Sequence, residues 1–351
     1  MGQMNSAGTR VVTLGTAGGP VWWSGPNAGK RCGISTAVVV GDRVYLVDAG
    51  SGVGRQMMLA GLPFQDLRAV FVTHLHSDHI VDLGSLALFG MMDLGEAPKE
   101  RISIFGPGDR GLLPPISPRA DTPPAPLFPD APTPGTHALF ETLMRAYATD
   151  LNDRVLDSLR PTPFDYFDAR DIIIPAAAGF HANTSPTPDM DPFVVYEDDV
   201  VRVTAILVEH PPIAPAFAYR FDTDEGSVVI SGDTTETPNT IKIAENADVL
   251  LHEAIDFEWV KSLYADRTDD VGQAMLDHHH KSHTSPRGAM RIAEAAGARY
   301  LALHHLVPGT TPTEVWYRDR GHFSGQFNIP HDLEVIPVGR QRTSLSYLAR
   351  P

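Results

Sequence analysis

A chain of 351 residues has room for a sizeable core, in one large domain or two ordinary ones. Its 28 basic and 43 acidic residues give a formal net charge of -15, a balance that repels polyanions, since nucleic-acid binding normally draws on an excess of Lys and Arg. Cys32 is the sole cysteine, which excludes an intramolecular disulfide and a thiolate-rich zinc site. Residues 1–10 are polar, and no run is long and apolar enough to cross a bilayer, so a soluble cytoplasmic protein with no membrane partner is expected.

Residues 10–15 read as a first strand entering the Gly-rich turn 15–20. No G-x-G-x-x-G and no Walker lysine accompanies that turn, so it is expected to be a tight loop near a site rather than a phosphate cradle. Trp22 and Trp23 follow on the same loop, where substrate stacking and ordinary packing are both open to them. Residues 36–40 and 44–47 form a predicted hairpin turned at Gly41-Asp42, and Asp48-Ala49-Gly50 leads into a helix through Met57 and Leu59.

The β-branched and aromatic run 69–73 predicts a buried strand, and directly after it comes His74-Leu75-His76-Ser77-Asp78-His79. Imidazole suits zinc, iron, copper and nickel, while carboxylate oxygen suits harder divalent ions, so a mixed set can hold two ions close together. A helix is expected over 80–92 and a short strand over 102–105. The stretch 113–134 is crowded with proline, which joins no ladder and breaks helices, so it is expected to be an extended surface excursion.

Apolar residues from Leu139 to Leu159 recur at three-four spacing and predict one helix over 138–160. Its Phe140, Met144 and Tyr147 suit a core; on a helix lying over a site they would contact substrate as a lid. Strands are predicted at 193–196, 200–208, 216–221, 227–230 and 249–252. Ser285-Pro286 opens a helix that Gly297 stops, and a last strand covers 300–303.

Three further donors each sit just past the end of a predicted strand: His210, Asp233 and His305. Loops at the ends of strands converge on one rim of a sheet structure, so these three and the first cluster are expected to meet. His278-His279-His280 is either a pocket wall or a solvated polar loop.

With these residues in place, the chain resembles the metallo-β-lactamase superfamily, and within it the tRNase Z-like branch. His74-x-His76-x-Asp78-His79 matches the superfamily pattern. Ser231-Gly232-Asp233-Thr234, Leu251-His252-Glu253-Ala254, Ser282-His283-Thr284-Ser285 and Leu303-His304-His305-Leu306-Val307-Pro308 match later motifs in order. The resemblance covers most of 10–100 and 193–310, while about 109–190 departs from it.

The resemblance implies an α/β fold, a four-layer αββα sandwich, here one domain over 1–351 with the Pro-rich and helical segment inserted at about 109–190 beside the active site. It also implies two zinc ions per chain, with Mn2+ or Fe2+ as substitutes. His74, His76 and His210 would hold one ion, Asp78, His79 and His305 the other, and Asp233 would bridge them. His305 is preferred to His304 because it lies two residues after Leu303 in a Leu-x-Leu-x-His pattern. Asp78 would also steer the attacking hydroxide, and His283 would protonate the leaving oxygen. A homodimer is expected, since dimers are common among relatives.

A tRNA-processing member usually carries a basic arm between the positions of His210 and Asp233. Here that interval is short and filled by predicted strands. Together with the acidic balance, this leads to the expectation of a small-molecule ester substrate, a phosphodiester or sulfate ester, and no nucleic-acid partner. The alternatives are a carboxylic ester, lactone or amide hydrolase with an apolar pocket, and the disfavoured tRNA 3′-processing endonuclease.

Overall fold

The apolar runs of the sequence build two sheets face to face. The computed structural model describes residues 8–25 and 27–339; residues 1–7 of the polar N-terminal segment lie outside the described residues. The first sheet holds β1 (Thr9–Gly15), β2 (Ser35–Val40), β3 (Arg43–Val47), β4 (Leu67–Phe71), β5 (Ile102–Pro107) and β6 (Phe167–Ile172). The second holds β7 (Phe193–Glu197), β8 (Arg202–Leu207), β9 (Phe217–Thr223), β10 (Gly226–Ile230), β11 (Val249–Ile255), β12 (Tyr300–Val307) and β13 (Gln326–Asn328). The chain then returns to the first sheet, where β14 (Glu334–Pro337) adds an edge beside β1.

Helices α1 (Val53–Leu59), α2 (Ser77–Ile80), α3 (Leu83–Leu94), α4 (Thr136–Ala146), α5 (Ala148–Leu156) and α6 (Pro163–Tyr166) accompany the first sheet. Helices α7 (Pro238–Ile243), α8 (Phe257–Leu263), α9 (Asp270–Ser282), α10 (Pro286–Ala295) and α11 (Thr313–Trp316) accompany the second.

β3 shows how the layers are specified. Tyr45 and Val47 face the second sheet and pack in one core with Phe217, Phe221 and Val203. Val44 and Leu46 face the other way, into a core closed by Met57, Leu83, Leu86 and Phe140 from the helices. A strand covered on both faces is apolar at successive positions, which is why these runs show no polar alternation. The α/β four-layer sandwich expected from the sequence is the fold observed.

Pairing is parallel along β3, β4, β5 and β6 and again along β10, β11, β12 and β13. Parallel strands end together, so the segments after β3, β4, β5, β10 and β12 open on one rim. This is the rim that gathers the donors.

The inserted segment is more integrated than its proline content suggests. Its β6 extends the parallel ladder of β5, from Ile102↔Phe167 to Pro107↔Ile172. The predicted single helix over 138–160 is two helices, broken at Tyr147. Apolar residues spaced by four drift about 40° per step around a helix of 3.6 residues per turn, so the stripe rotates off the packed face. Accordingly Phe140 and Met144 are buried, whereas Leu156 and Leu159 are exposed.

This burial corrects the substrate-binding expectation for Phe140 and Met144. Phe140 packs edge-on to Phe164 at 6.1 Å and beside Phe167 at 6.1 Å, under the outer face of the first sheet. Phe140→Ala should therefore cost about 3–5 kcal/mol in denaturant unfolding while leaving the turnover of the folded enzyme unchanged. A lowered kcat at full stability would return the residue to the substrate.

Candidate metal centre

The ligand-type residues owe their positions to strand ends and to a few irregular backbone sites. After β4 the chain passes through buried Thr73 and His74, and His76 then precedes the short helix α2 that carries Asp78 and His79. Asp233 follows β10 through Gly232, which has φ +60; a Cβ there would lie 2.6 Å from the Phe217 carbonyl oxygen, so only glycine fits. His305 has φ 47, a left-handed conformation that side chains beyond glycine rarely adopt. It is the extra residue of a bulge: Glu253 pairs with His304 and Ala254 with Leu306. Bulges re-aim side chains next to active sites. Gly18 packs on the His305 ring, where a Cβ would come to 2.3 Å.

Two sets of donors result. His74 Nε2 lies 3.0 Å from His76 Nδ1, and His210 Nε2 lies 3.1 Å from that same atom. In the second set, His305 Nε2 is 3.1 Å from His79 Nε2 and 3.3 Å from Asp78 Oδ2. Asp233 stands between them. Its Oδ2 lies 3.9 Å from His74 Nε2 and 3.8 Å from His210 Nε2, and its Oδ1 lies 3.4 Å from His79 Nε2 and 3.2 Å from His305 Nε2. His304 contributes no donor to either set. Its Nδ1 is 3.4 Å from Thr36 Oγ1, and burial pushes its pKa down to about 3.

The hydrogen bonds on the far sides of the rings show what these donors need. His79 Nδ1 donates to Asp48 Oδ2 at 2.8 Å, His210 Nδ1 to the Ser282 carbonyl at 2.6 Å, and His74 Nδ1 to Thr73 Oγ1 at 3.1 Å. In each neutral ring the opposite nitrogen then carries a lone pair, and these lone pairs face one another. Asp233 Oδ1 is buried without a hydrogen bond. Close-packed acceptors with nothing between them fit cations.

The proton affinities agree. Burial, followed by neighbouring imidazoles, holds His74 well below its usual value; burial likewise lowers His210. For His79, burial acts downward, but Asp233, Asp48 and Asp78 outweigh it and raise the pKa well above the usual range. That site calls for positive charge, which a divalent ion at Nε2 supplies in place of a proton. The set of imidazole and carboxylate donors, without thiolate, fits a pair of transition-metal ions.

Two acidic groups with no motif spacing of their own support the centre. Asp48, which itself has φ 62, accepts from the Thr73 backbone N–H at 2.8 Å as well as from His79, and so fixes one ring and the loop carrying it. Glu253 is fully buried and accepts from His283 Nδ1 at 3.1 Å and from the Thr234 N–H at 2.9 Å. Burial raises the Glu253 carboxyl, and the facing His283 pulls it back. Burial lowers His283, but Glu253, Asp233 and Asp78 together raise it to about 9. The Thr234 N–H supports the carboxylate form of Glu253, so the shared proton belongs on His283.

The remaining predicted residues divide. Trp23 packs edge-on to Trp259 at 5.2 Å beside Val307 and Val260, while Trp22 is 91 % exposed. Tyr147 is half exposed at the break between α4 and α5. His278, His279 and His280 belong to the last turns of α9 and not to a loop, with the first two rings 6.5 and 6.3 Å from that of His283.

The model of the metallo-beta-lactamase superfamily matches residues 30–305 of the chain. A protein named Ribonuclease Z from Mycobacterium bovis (strain BCG / Pasteur 1173P2) is 27% identical over 335 residues, covering 95% of this chain and 99% of that protein. Another of the same name from Mycobacterium sp. (strain KMS) is 29% identical, covering 93% of this chain and 95% of its own length. Among solved structures, the short form of human tRNase Z superposes with a TM-score of 0.59 at 18% identity, covering 94% of this chain and all of that one. The fold protein YhfI of Bacillus subtilis reaches 0.56 at 20% identity, covering 93% and 98%. At such identities the structures speak for the fold alone.

These likenesses correct two expectations, the small-molecule ester substrate and the absence of a nucleic-acid partner. Relatives matched almost end to end carry the name ribonuclease. The acidic balance misled because net charge sums the whole surface, whereas a phosphodiester is gripped at one centre. The short interval between His210 and Asp233 misled as well: β9 and β10 fill it as core strands, and relatives of that name still match across the chain. The likenesses support a metal-dependent hydrolase.

Elemental analysis of protein purified without chelator should find two ions per chain. Asp48→Asn keeps the shape but loses the full carboxylate behind His79, so metal affinity in chelator competition should fall about 10–100-fold with the fold intact. Unchanged affinity would remove Asp48 from the centre.

Proposed function

The chain belongs to the metallo-beta-lactamase superfamily, and from that premise we propose that it is a ribonuclease of the ribonuclease Z kind, hydrolysing a phosphodiester bond at the 3′ end of a tRNA precursor. The observation that carries this reading is the pair of donor sets meeting at Asp233 with the His283–Glu253 pair alongside, in a chain whose relatives of that name match over nearly their whole length. His74, His76 and His210 would hold one ion and Asp78, His79 and His305 the other, with Asp233 placed between the two sets. Zinc fits best because imidazole dominates the set. Two bound ions would supply a hydroxide at neutral pH and neutralise the phosphate oxygens.

The protein groups do the rest. Gly19 donates its N–H to Asp78 Oδ2 at 2.7 Å, holding that carboxylate on the side of the incoming water, which it orients. His283, its Nδ1 fixed on Glu253, presents its other nitrogen as a donor. When the phosphorus–oxygen bond to the departing ribose breaks, His283 gives its proton to that oxygen, and water restores it. A buried imidazolium held by a carboxylate is a general acid that stays charged near neutral pH.

Protein loaded with zinc should cut a precursor tRNA transcript at one position near its 3′ end, and both EDTA and His76→Ala should abolish the cut without unfolding the chain. Failure on precursor tRNA by fully metal-loaded protein would overturn the reading. A second prediction concerns pH. The acid must be protonated, so kcat/KM falls as pH rises through the pKa of His283. Removing the negative charge in Glu253→Gln leaves burial to lower that pKa, and the alkaline limb should move to lower pH. A limb that stays in place would assign the proton to another group.

A further inference from the structure

Beside His76 the rim opens into a cleft of about 370 Å³, continuous with the metal-binding segments. One wall is Leu75 and Ile80, which bracket the His76–His79 ligands in sequence; the opposite wall is the stretch 212–215 just after His210. The inserted segment closes the third side through Pro114, Pro132, Pro134 and Leu139. Leu139 therefore faces the cleft, while its neighbour Phe140 faces the core.

The chemistry of the walls is narrow. Among the described residues that line the cleft, Arg110 is the one charged side chain apart from His76, and all three of its guanidinium nitrogens are engaged. Nε donates to the Leu112 carbonyl at 2.8 Å, one terminal nitrogen to the Pro212 carbonyl at 2.7 Å, and the other to the Ala182 carbonyl at 3.2 Å and to Asn183 Oδ1. Arg110 ties the Pro-rich excursion to the 212–215 wall rather than offering charge to a ligand. Most of the space is lined by pyrrolidine rings, whose backbone φ is fixed, and by Leu and Ile side chains. A second phosphate has no partner there; a flat apolar group does.

We propose that this cleft seats the nucleobase of a nucleotide flanking the scissile phosphate, with Leu139 and the proline walls as its specificity-determining contacts. The inference rests on the reading of the centre as an RNA phosphodiesterase. A base next to a phosphate held at the metals is the apolar part of such a substrate that lies within reach of His76. Bases at single-stranded ends unstack readily, and an extruded base can be held between apolar side chains. The volume lies in the range of small-molecule sites, about 300–1,000 Å³.

The test uses precursor tRNA transcripts with a single abasic ribose placed on one or the other side of the cleaved bond, compared with the intact transcript. For the wild-type enzyme, removing the base on one side should lower kcat/KM about tenfold, the order expected from burying roughly 50–60 Å² of apolar surface. Leu139→Asp should lower cleavage of the intact transcript by a similar factor and show no further loss with the abasic one. Equal cleavage of intact and abasic transcripts on both sides would overturn the cleft assignment and leave the ribonuclease reading standing. So would a Leu139→Asp enzyme that discriminates as the wild type does. No cleavage of intact transcript by the wild type would remove the ribonuclease reading and this inference together.

Discussion

Five imidazoles and the carboxylates of Asp78 and Asp233 turn their acceptor atoms toward one small volume, and such atoms repel one another unless positive charge lies between them. The rest of the molecule is arranged around that constraint. Asp233 gives one oxygen to each set of histidines, so the two halves of the centre are coupled through a single side chain. The outward nitrogens of His79, His74 and His210 are committed to Asp48, Thr73 and the Ser282 carbonyl. Those contacts fix which nitrogen points inward, and a ring that could swap tautomers or rotate would lose the arrangement.

The backbone bears part of this load. Asp48 and His305 are both buried, both at positive φ, and both at the centre. A non-glycine residue in this region costs on the order of 1–3 kcal/mol and persists where its surroundings over-determine it. Here the surroundings are the ends of β3 and β12, each locked in a parallel ladder, together with the loop 16–19 pressed against His305. Leu306 N–H bonds to the Thr16 carbonyl at 2.9 Å, and Gly18 N–H bonds back to the Leu306 carbonyl at 3.1 Å. The bulge at His305 is clamped from both sides.

How far the sequence disclosed this follows from how each residue acts. Strands buried on both faces were legible as unbroken apolar runs, and the dense cluster His74–His79 was legible because few folds place such donors after a strand. β6 was missed because its polar Asp168, Arg170 and Asp171 sit on an edge strand within a segment read as an insertion. β13 and β14 are too short to announce themselves. Asp48 and Glu253 act through other side chains, so neither carries a spacing of its own. Glu253 lies inside the Leu251–Ala254 motif, but its separation from His283 in sequence hides the pairing. On α4, periodicity announced an apolar face but could not say that Phe140 belongs to the core and Leu139 to the cleft. Net charge misdirected the choice of substrate because composition carries no position.

The loop 16–19 is also fastened from the far end of the chain. Asp332 accepts from the Thr16 hydroxyl at 2.6 Å and from the Cys32 N–H at 2.6 Å, and Arg31 bridges Thr16 Oγ1 and the Pro330 carbonyl. Asp332 therefore reaches His305 without touching it: a shift of residues 330–332 would be transmitted through Thr16 and Gly18 to the ring at the centre.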